Sequence, residues 1–254
     1  MSRPARGVAV PDRPRAAVRE AARLRWLDEG TSYFAARLRG CDLDRPSLLP
    51  GWTGRHLVAH VAANARALGR LVHWAHTGEE TPMYARGGAR EAEIEELARL
   101  SPGALTELAE RTSAALRSDL AALSDSDLAE RVRTAQGRLV PASEIIWMRA
   151  REVWVHAVDL DSGGRFEDFP PDFVDALLTD VTGLWERRGQ GPGLMIRPDD
   201  RRRSWAVSVP PPTGPPDEPG VPREVHGTAA RLAAWVTGRA PAPDPAAPPV
   251  GRWL

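Results

Sequence analysis

Residues 145–160, IIWMRAREVWVHAVDL, decide the fold, because a carboxylate and an imidazole lie there among many apolar side chains. The two polar groups are Glu152 and His156, and residues four apart lie on one face of a helix. Burying such groups costs free energy unless they are paired or bind a metal ion. The spacing therefore favours a buried helix with two candidate metal ligands. A simple polar pair on a helix remains the alternative at this point.

A third ligand has to come from another helix, and His60 is the best candidate. It lies in the run His56-Leu-Val-Ala-His60, on a predicted helix over residues 53–76 whose apolar residues recur at helical spacing. His56 is a rival ligand, because it also lies four residues from His60. Two imidazoles and one carboxylate leave a coordination position open, which is typical of a catalytic zinc site.

The chain predicts a mainly α protein with two domains. Before residue 163 the sequence predicts an antiparallel helical bundle, with helices over 16–38, 53–76, 91–100, 101–123 and 141–160. After Gly163-Gly164 it predicts a small α+β domain, with helices over 171–188 and 228–237 and strands over 194–197, 205–209 and 223–226. We therefore expect a disordered tail at 1–15, a bundle domain at 16–163 and an α+β domain at 164–254.

Composition excludes several classes of function. The 34 basic residues, none of them lysine, balance 34 acidic ones, so nothing favours nucleic acid or a membrane as a partner. Cys41 is the only cysteine, which excludes an intramolecular disulfide and a cysteine-rich zinc site. We find neither a secretion signal nor the roughly 20 consecutive apolar residues of a membrane helix, so we expect a cytoplasmic protein.

Four segments resemble the mycothiol-dependent maleylpyruvate isomerases. They are LLPGWT at 48–53, followed by His56, His60 and Asn64; TGEETPMY at 77–84; REVWVHAVDL at 151–160; and AWVTGR at 234–239. The resemblance extends over residues 24–239, and its first and third segments also occur more loosely in the wider group of DinB-like metal-binding bundles. The second segment favours the isomerases within that group.

The resemblance implies a fold and a set of site residues. The fold is a DinB-like four-helix bundle followed by a sterol-carrier-like α+β domain. The implied metal ligands are His60, Glu152 and His156, with zinc or another divalent metal and mycothiol as cofactors. The family has a catalytic arginine in its second domain, for which Arg239 is the first choice and Arg231 the alternative.

Three further polar residues lie near these motifs. Asn64 and Tyr84 are candidates for binding the cofactor, with a packing role as the alternative. Asp159 lies seven residues after Glu152, near the same helix face, and either it or Asn64 could orient a ligand or stabilise the bundle.

The resemblance predicts a cis–trans isomerase that converts maleylpyruvate to fumarylpyruvate. A zinc-bound thiolate of mycothiol would add to the double bond, allow rotation about the resulting single bond and then leave. The implied partners are a small dicarboxylate and a low-molecular-weight thiol, and an arginine would bind the substrate carboxylates. The alternatives are a mycothiol S-transferase, another metal-dependent enzyme of the DinB-like group, and a metal-binding module without catalytic activity.

Overall fold

The protein is mainly helical, as the sequence predicts. A computed structural model describes residues 13–208, 223–245, 247–250 and 253, with side chains from residue 18 onward. Residues 1–12 of the predicted tail, and the proline-rich stretch at 210–222 between two of the predicted strands, lie outside the described residues. Within the described part of the chain, no helix is both long and apolar enough to span a membrane.

The chain divides into two compact units. One takes the chain up to Ala35 together with Val58–Val153, and the other takes Ala36–Leu57 and the chain from Trp154 onward. The predicted domain boundary after residue 163 stays a prediction. The helices up to residue 159 are α1 (Arg13–Leu38), α2 (Gly54–Thr77), α3 (Ala89–Leu97), α4 (Pro102–Ala122), α5 (Asp125–Ala129) and α6 (Glu144–Asp159).

Local sequence signals explain where these helices begin and how they pack. The Ser101 side chain accepts a hydrogen bond from the Ala104 amide, and Pro102 occupies the first helical position of α4. Helix α2 buries an apolar face that includes Leu57, Leu68 and Leu71. Helices α1 and α6 meet through Trp26 and Trp147, whose ring centroids are 5.9 Å apart in an edge-on arrangement.

The prediction that Pro141 begins a helix is wrong. Pro141 instead ends the strand β2 (Leu139–Pro141), which pairs antiparallel with β1 (Arg131–Arg133). The Ala142 amide then donates to the carbonyl of Glu130, and α6 begins only at Glu144. Proline tolerates this position because it lies at the end of a short, two-stranded sheet, where no amide is required. Strands of three residues carry too little alternation to be recognised from sequence.

The second unit is the predicted α+β arrangement. Helix α7 (Pro171–Arg188) has the predicted bounds, and α8 (Ala229–Val236) begins after the N-cap Thr228. A three-stranded sheet has the order β4-β3-β5, with β3 antiparallel to β4 and parallel to β5. Its strands are β3 (Leu194–Pro198), β4 (Trp205–Val207) and β5 (Arg223–Gly227). Residue 209, the predicted end of the second strand, lies outside the described residues.

We expect Gly164→Ala to destabilise the protein by about 1–3 kcal/mol, measured by urea denaturation. A Cβ atom at Gly164 would lie 2.5 Å from the carbonyl oxygen of Ala157, which is backbone and cannot rotate away. Gly69→Ala is the matched control. Its Cβ would meet nothing within 4 Å inside α2, so we expect a gain of about 0.5–1 kcal/mol. Unchanged stability of Gly164→Ala would contradict this close approach.

Candidate metal centre

Helices α2 and α6 bring His60 and Glu152 together inside the helical unit. The Nε2 atom of His60 lies 3.0 Å from Oε2 of Glu152, although the two residues are 92 positions apart in the chain. His60 is only 5% exposed, and the Glu152 side chain is 12% exposed. The two groups are thus paired in an interior that would otherwise penalise each of them.

His156 completes a cluster of three metal-binding side chains. Helix α6 continues from Glu152 to His156, so helix geometry places the imidazole one turn after the carboxylate. One ligand atom from each of His60, Glu152 and His156 lies within 4.8 Å of the other two. Two imidazoles and a carboxylate are a donor set that suits zinc, and three protein ligands leave a position for a further ligand. His56 lies outside this cluster; its Nδ1 atom is 2.9 Å from the Thr53 hydroxyl.

Asp159 fixes the orientation of the His156 ring. Its Oδ2 atom lies 2.8 Å from Nδ1 of His156, and the carboxylate is completely buried. Arg239 holds the same carboxylate through two hydrogen bonds, from Nε at 3.0 Å and from Nη2 at 2.8 Å. Burial raises the pKa of Asp159, but the hydrogen bonds from His156 and Arg239 outweigh burial and hold the pKa below its ordinary value. A carboxylate on one ring nitrogen is the usual support of a metal-binding histidine.

Arg149 connects three helices beneath the cluster. Its guanidinium, 1% exposed, donates to the Val61 carbonyl at 2.8 Å, to Oδ1 of Asn64 at 2.9 Å and to the Ser113 hydroxyl at 2.7 Å. Loss of solvation lowers the pKa of Arg149 to about 10, and the charge of Glu152 opposes that change. The structure thus places Asn64 against Arg149, and a role for Asn64 in binding a cofactor stays a prediction.

The other predicted site residues have separate positions. Tyr84 is half-buried, and burial raises its pKa; the charge of Arg90 opposes the change, while that of Glu152 adds to it. Arg231 is exposed on α8, and its guanidinium forms no hydrogen bond or ion pair with a described residue, although its backbone amide donates to the Thr228 hydroxyl. Arg239 is the better placed of the two candidate arginines, because it contacts the residue that supports His156.

Sequence reasoning missed two arginines near the cluster. Arg149 carries a weak signal, since it is a charged residue three positions before Glu152 in an apolar helix. Arg90 carries none that we can identify. Its Nη2 atom lies 3.3 Å from Nδ1 of His60, a contact made by a separate helix, α3.

Comparison with known proteins decides the family. The family model described as the mycothiol maleylpyruvate isomerase N-terminal domain matches residues 24–161, more than half of the chain. The chain belongs to this family. All three residues of the cluster fall within the matched region, and the predicted resemblance is confirmed.

Solved structures support the same conclusion. One solved protein is described as the crystal structure of the mycothiol-dependent maleylpyruvate isomerase, and its sequence is 37% identical to this one. The match has a TM-score of 0.81 and covers 91% of this chain and 97% of that one. A histidine-to-alanine mutant of such an isomerase is also 37% identical, with a TM-score of 0.82 over 92% of this chain and 97% of that one. A search of curated proteins gives no match. The predicted fold class is confirmed by this similarity.

We expect Asp159→Asn to weaken zinc binding by about 10- to 100-fold, measured by competition with a chelator. The substitution removes the charge that holds His156 in place and leaves Arg239 without its carboxylate. Asp161→Asn is the matched control, because Asp161 is exposed two residues further on. Equal zinc affinity of the two variants would show that Asp159 does not support the ligand.

We expect one equivalent of a divalent metal in the purified protein, measured by elemental analysis. His60→Ala should lose that metal because it removes one of only three ligands, whereas His56→Ala should retain it. Loss of metal from both variants to the same extent would contradict the assignment of His60 over its neighbour.

Proposed function

We propose that the chain is a zinc-containing, mycothiol-dependent maleylpyruvate isomerase. The observation that carries this proposal is the convergence of His60, Glu152 and His156, in a chain whose similar solved proteins are named mycothiol-dependent maleylpyruvate isomerases. The donor atoms suit zinc and leave room for a sulfur ligand. We also propose that the enzyme works in the cytoplasm, where small thiols stay reduced.

The reaction requires a thiol from outside the chain. A metal ion held by His60, Glu152 and His156 would favour the thiolate form of a small thiol, and a thiolate is the nucleophile that can add to a conjugated cis double bond and leave after rotation. Cys41 is poorly suited to that role. Burial, followed by the negative charge of Asp42, raises the pKa of the Cys41 thiol, and its Sγ atom lies 3.9 Å from the carbonyl of Leu160. An external thiol is therefore the better source.

The chain's own residues hold the ligands in place. Asp159 accepts a hydrogen bond from one nitrogen of His156 and so directs the other nitrogen to the metal. Arg239 keeps that carboxylate ionised and fixed, which makes Arg239 a positioning residue. Arg149 fastens α6 to α2 and thereby sets the distance between Glu152 and His60.

We expect the zinc-loaded protein to convert maleylpyruvate to fumarylpyruvate only when mycothiol is present. The absorbance of the product measures this reaction. Glu152→Ala should lower the rate by at least about 100-fold, since it removes a metal ligand. His56→Ala should stay near the wild-type rate.

Other outcomes of this assay would reject the isomerase. Transfer of mycothiol to an electrophile without isomerisation would identify an S-transferase, and metal-dependent turnover without thiol would identify a different enzyme of the same group. Full metal loading with no reaction in any assay would indicate a binding module.

A further inference from the structure

A cavity of about 430 Å³ lies in the helical unit, between the loop before α3 and the β1–β2 hairpin. Its lining includes Tyr84, Arg86 and Arg90 from the loop and α3, and Arg133 from β1. The cavity is large enough for a small organic acid, and its walls carry a high density of guanidinium groups.

The charges in this cavity favour an anion. Three arginines face two glutamates, Glu80 and Glu91. Glu91 already pairs with Arg90, whose Nη1 atom lies 3.2 Å from the Glu91 carboxylate. Arg133 donates one hydrogen bond to the Gly137 carbonyl, and Arg86 forms no side-chain hydrogen bond or ion pair with any residue that the structure describes. Arg86 and Arg133 therefore retain donors for a ligand.

The cavity adjoins the metal cluster. Arg90 lines it and reaches His60, with 3.3 Å between Nη2 of Arg90 and Nδ1 of His60. Tyr84 also lines it. A ligand in the cavity would thus lie beside the cluster.

We propose that this cavity binds a carboxylate group of the dicarboxylate substrate, with Arg86 and Arg133 as the recognition residues. The inference rests on the proposed isomerase function and assigns substrate recognition to residues other than Arg239. Arg239 uses both its Nε and Nη2 groups on Asp159, and its Nη1 group on the Thr237 carbonyl. Guanidinium groups match carboxylates in geometry and stay charged, so Arg86 and Arg133, which retain unused donors, suit this task.

The test compares Arg86→Gln, Arg133→Gln and the double variant with the wild type, all zinc-loaded. Each single substitution should raise the KM for maleylpyruvate by about tenfold, since each removes a charge-assisted hydrogen bond. The KM for mycothiol should change less than about twofold. Arg138→Gln is the matched control, an exposed arginine of the same hairpin outside the cavity.

Direct binding of succinate, which has no double bond to react, gives a readout independent of turnover. Its Kd, measured by NMR titration, should rise in parallel with the KM for maleylpyruvate in the cavity variants and stay constant in Arg138→Gln.

Unchanged succinate binding in the double variant, or no succinate binding by the wild type, would overturn the proposal. A rise in the KM for mycothiol alone would also overturn it and assign the cavity to the thiol. Absence of thiol-dependent isomerisation in the wild type would reject the proposed function, while the succinate Kd values would still decide the role of the cavity.

Discussion

Helix α6 carries a stripe of four ionisable side chains into an apolar interior, and the candidate centre depends on how each of them is satisfied. The stripe is Arg149, Glu152, His156 and Asp159, spaced three, four and three residues apart, so all four lie along one face. An unpaired charge buried in this way would cost several kcal/mol, about as much as a large part of the stability of a domain. Every member of the stripe has a partner in the described structure.

Those partners come from distant parts of the sequence, which is why the stripe also organises the fold. Asn64 and the Val61 carbonyl accept hydrogen bonds from Arg149, His60 pairs with Glu152, and Arg239 holds Asp159. Along the helix, the carboxylates alternate with nitrogen-bearing groups, in the order guanidinium, carboxylate, imidazole and carboxylate. Removing one partner would leave a neighbouring group unsatisfied, so the polar groups of this helix act as a connected set.

The structure shows what Arg239 contacts, whereas its predicted catalytic role stays a prediction. Arg239 contacts Asp159, and its effect on the centre passes through His156. Arg86 and Arg133 lie in a different part of the chain and line a cavity whose lining also includes Arg90, the residue that contacts His60. Holding a metal ligand requires a guanidinium with its donors already engaged, whereas recognising a substrate requires donors that remain available.

The sequence by itself determined the helical bundle, the α+β elements of the second half and two of the three residues of the cluster, Glu152 and His156. Those follow from local rules: helical spacing of apolar residues, caps such as Ser101, and the four-residue interval between Glu152 and His156. Only the tertiary structure decided between His56 and His60, revealed the β1–β2 hairpin at Pro141 and identified the partners of Arg149 and Asp159. These choices depend on contacts between residues 80 or more positions apart, or on strands of three residues, and neither leaves a periodic pattern in the sequence.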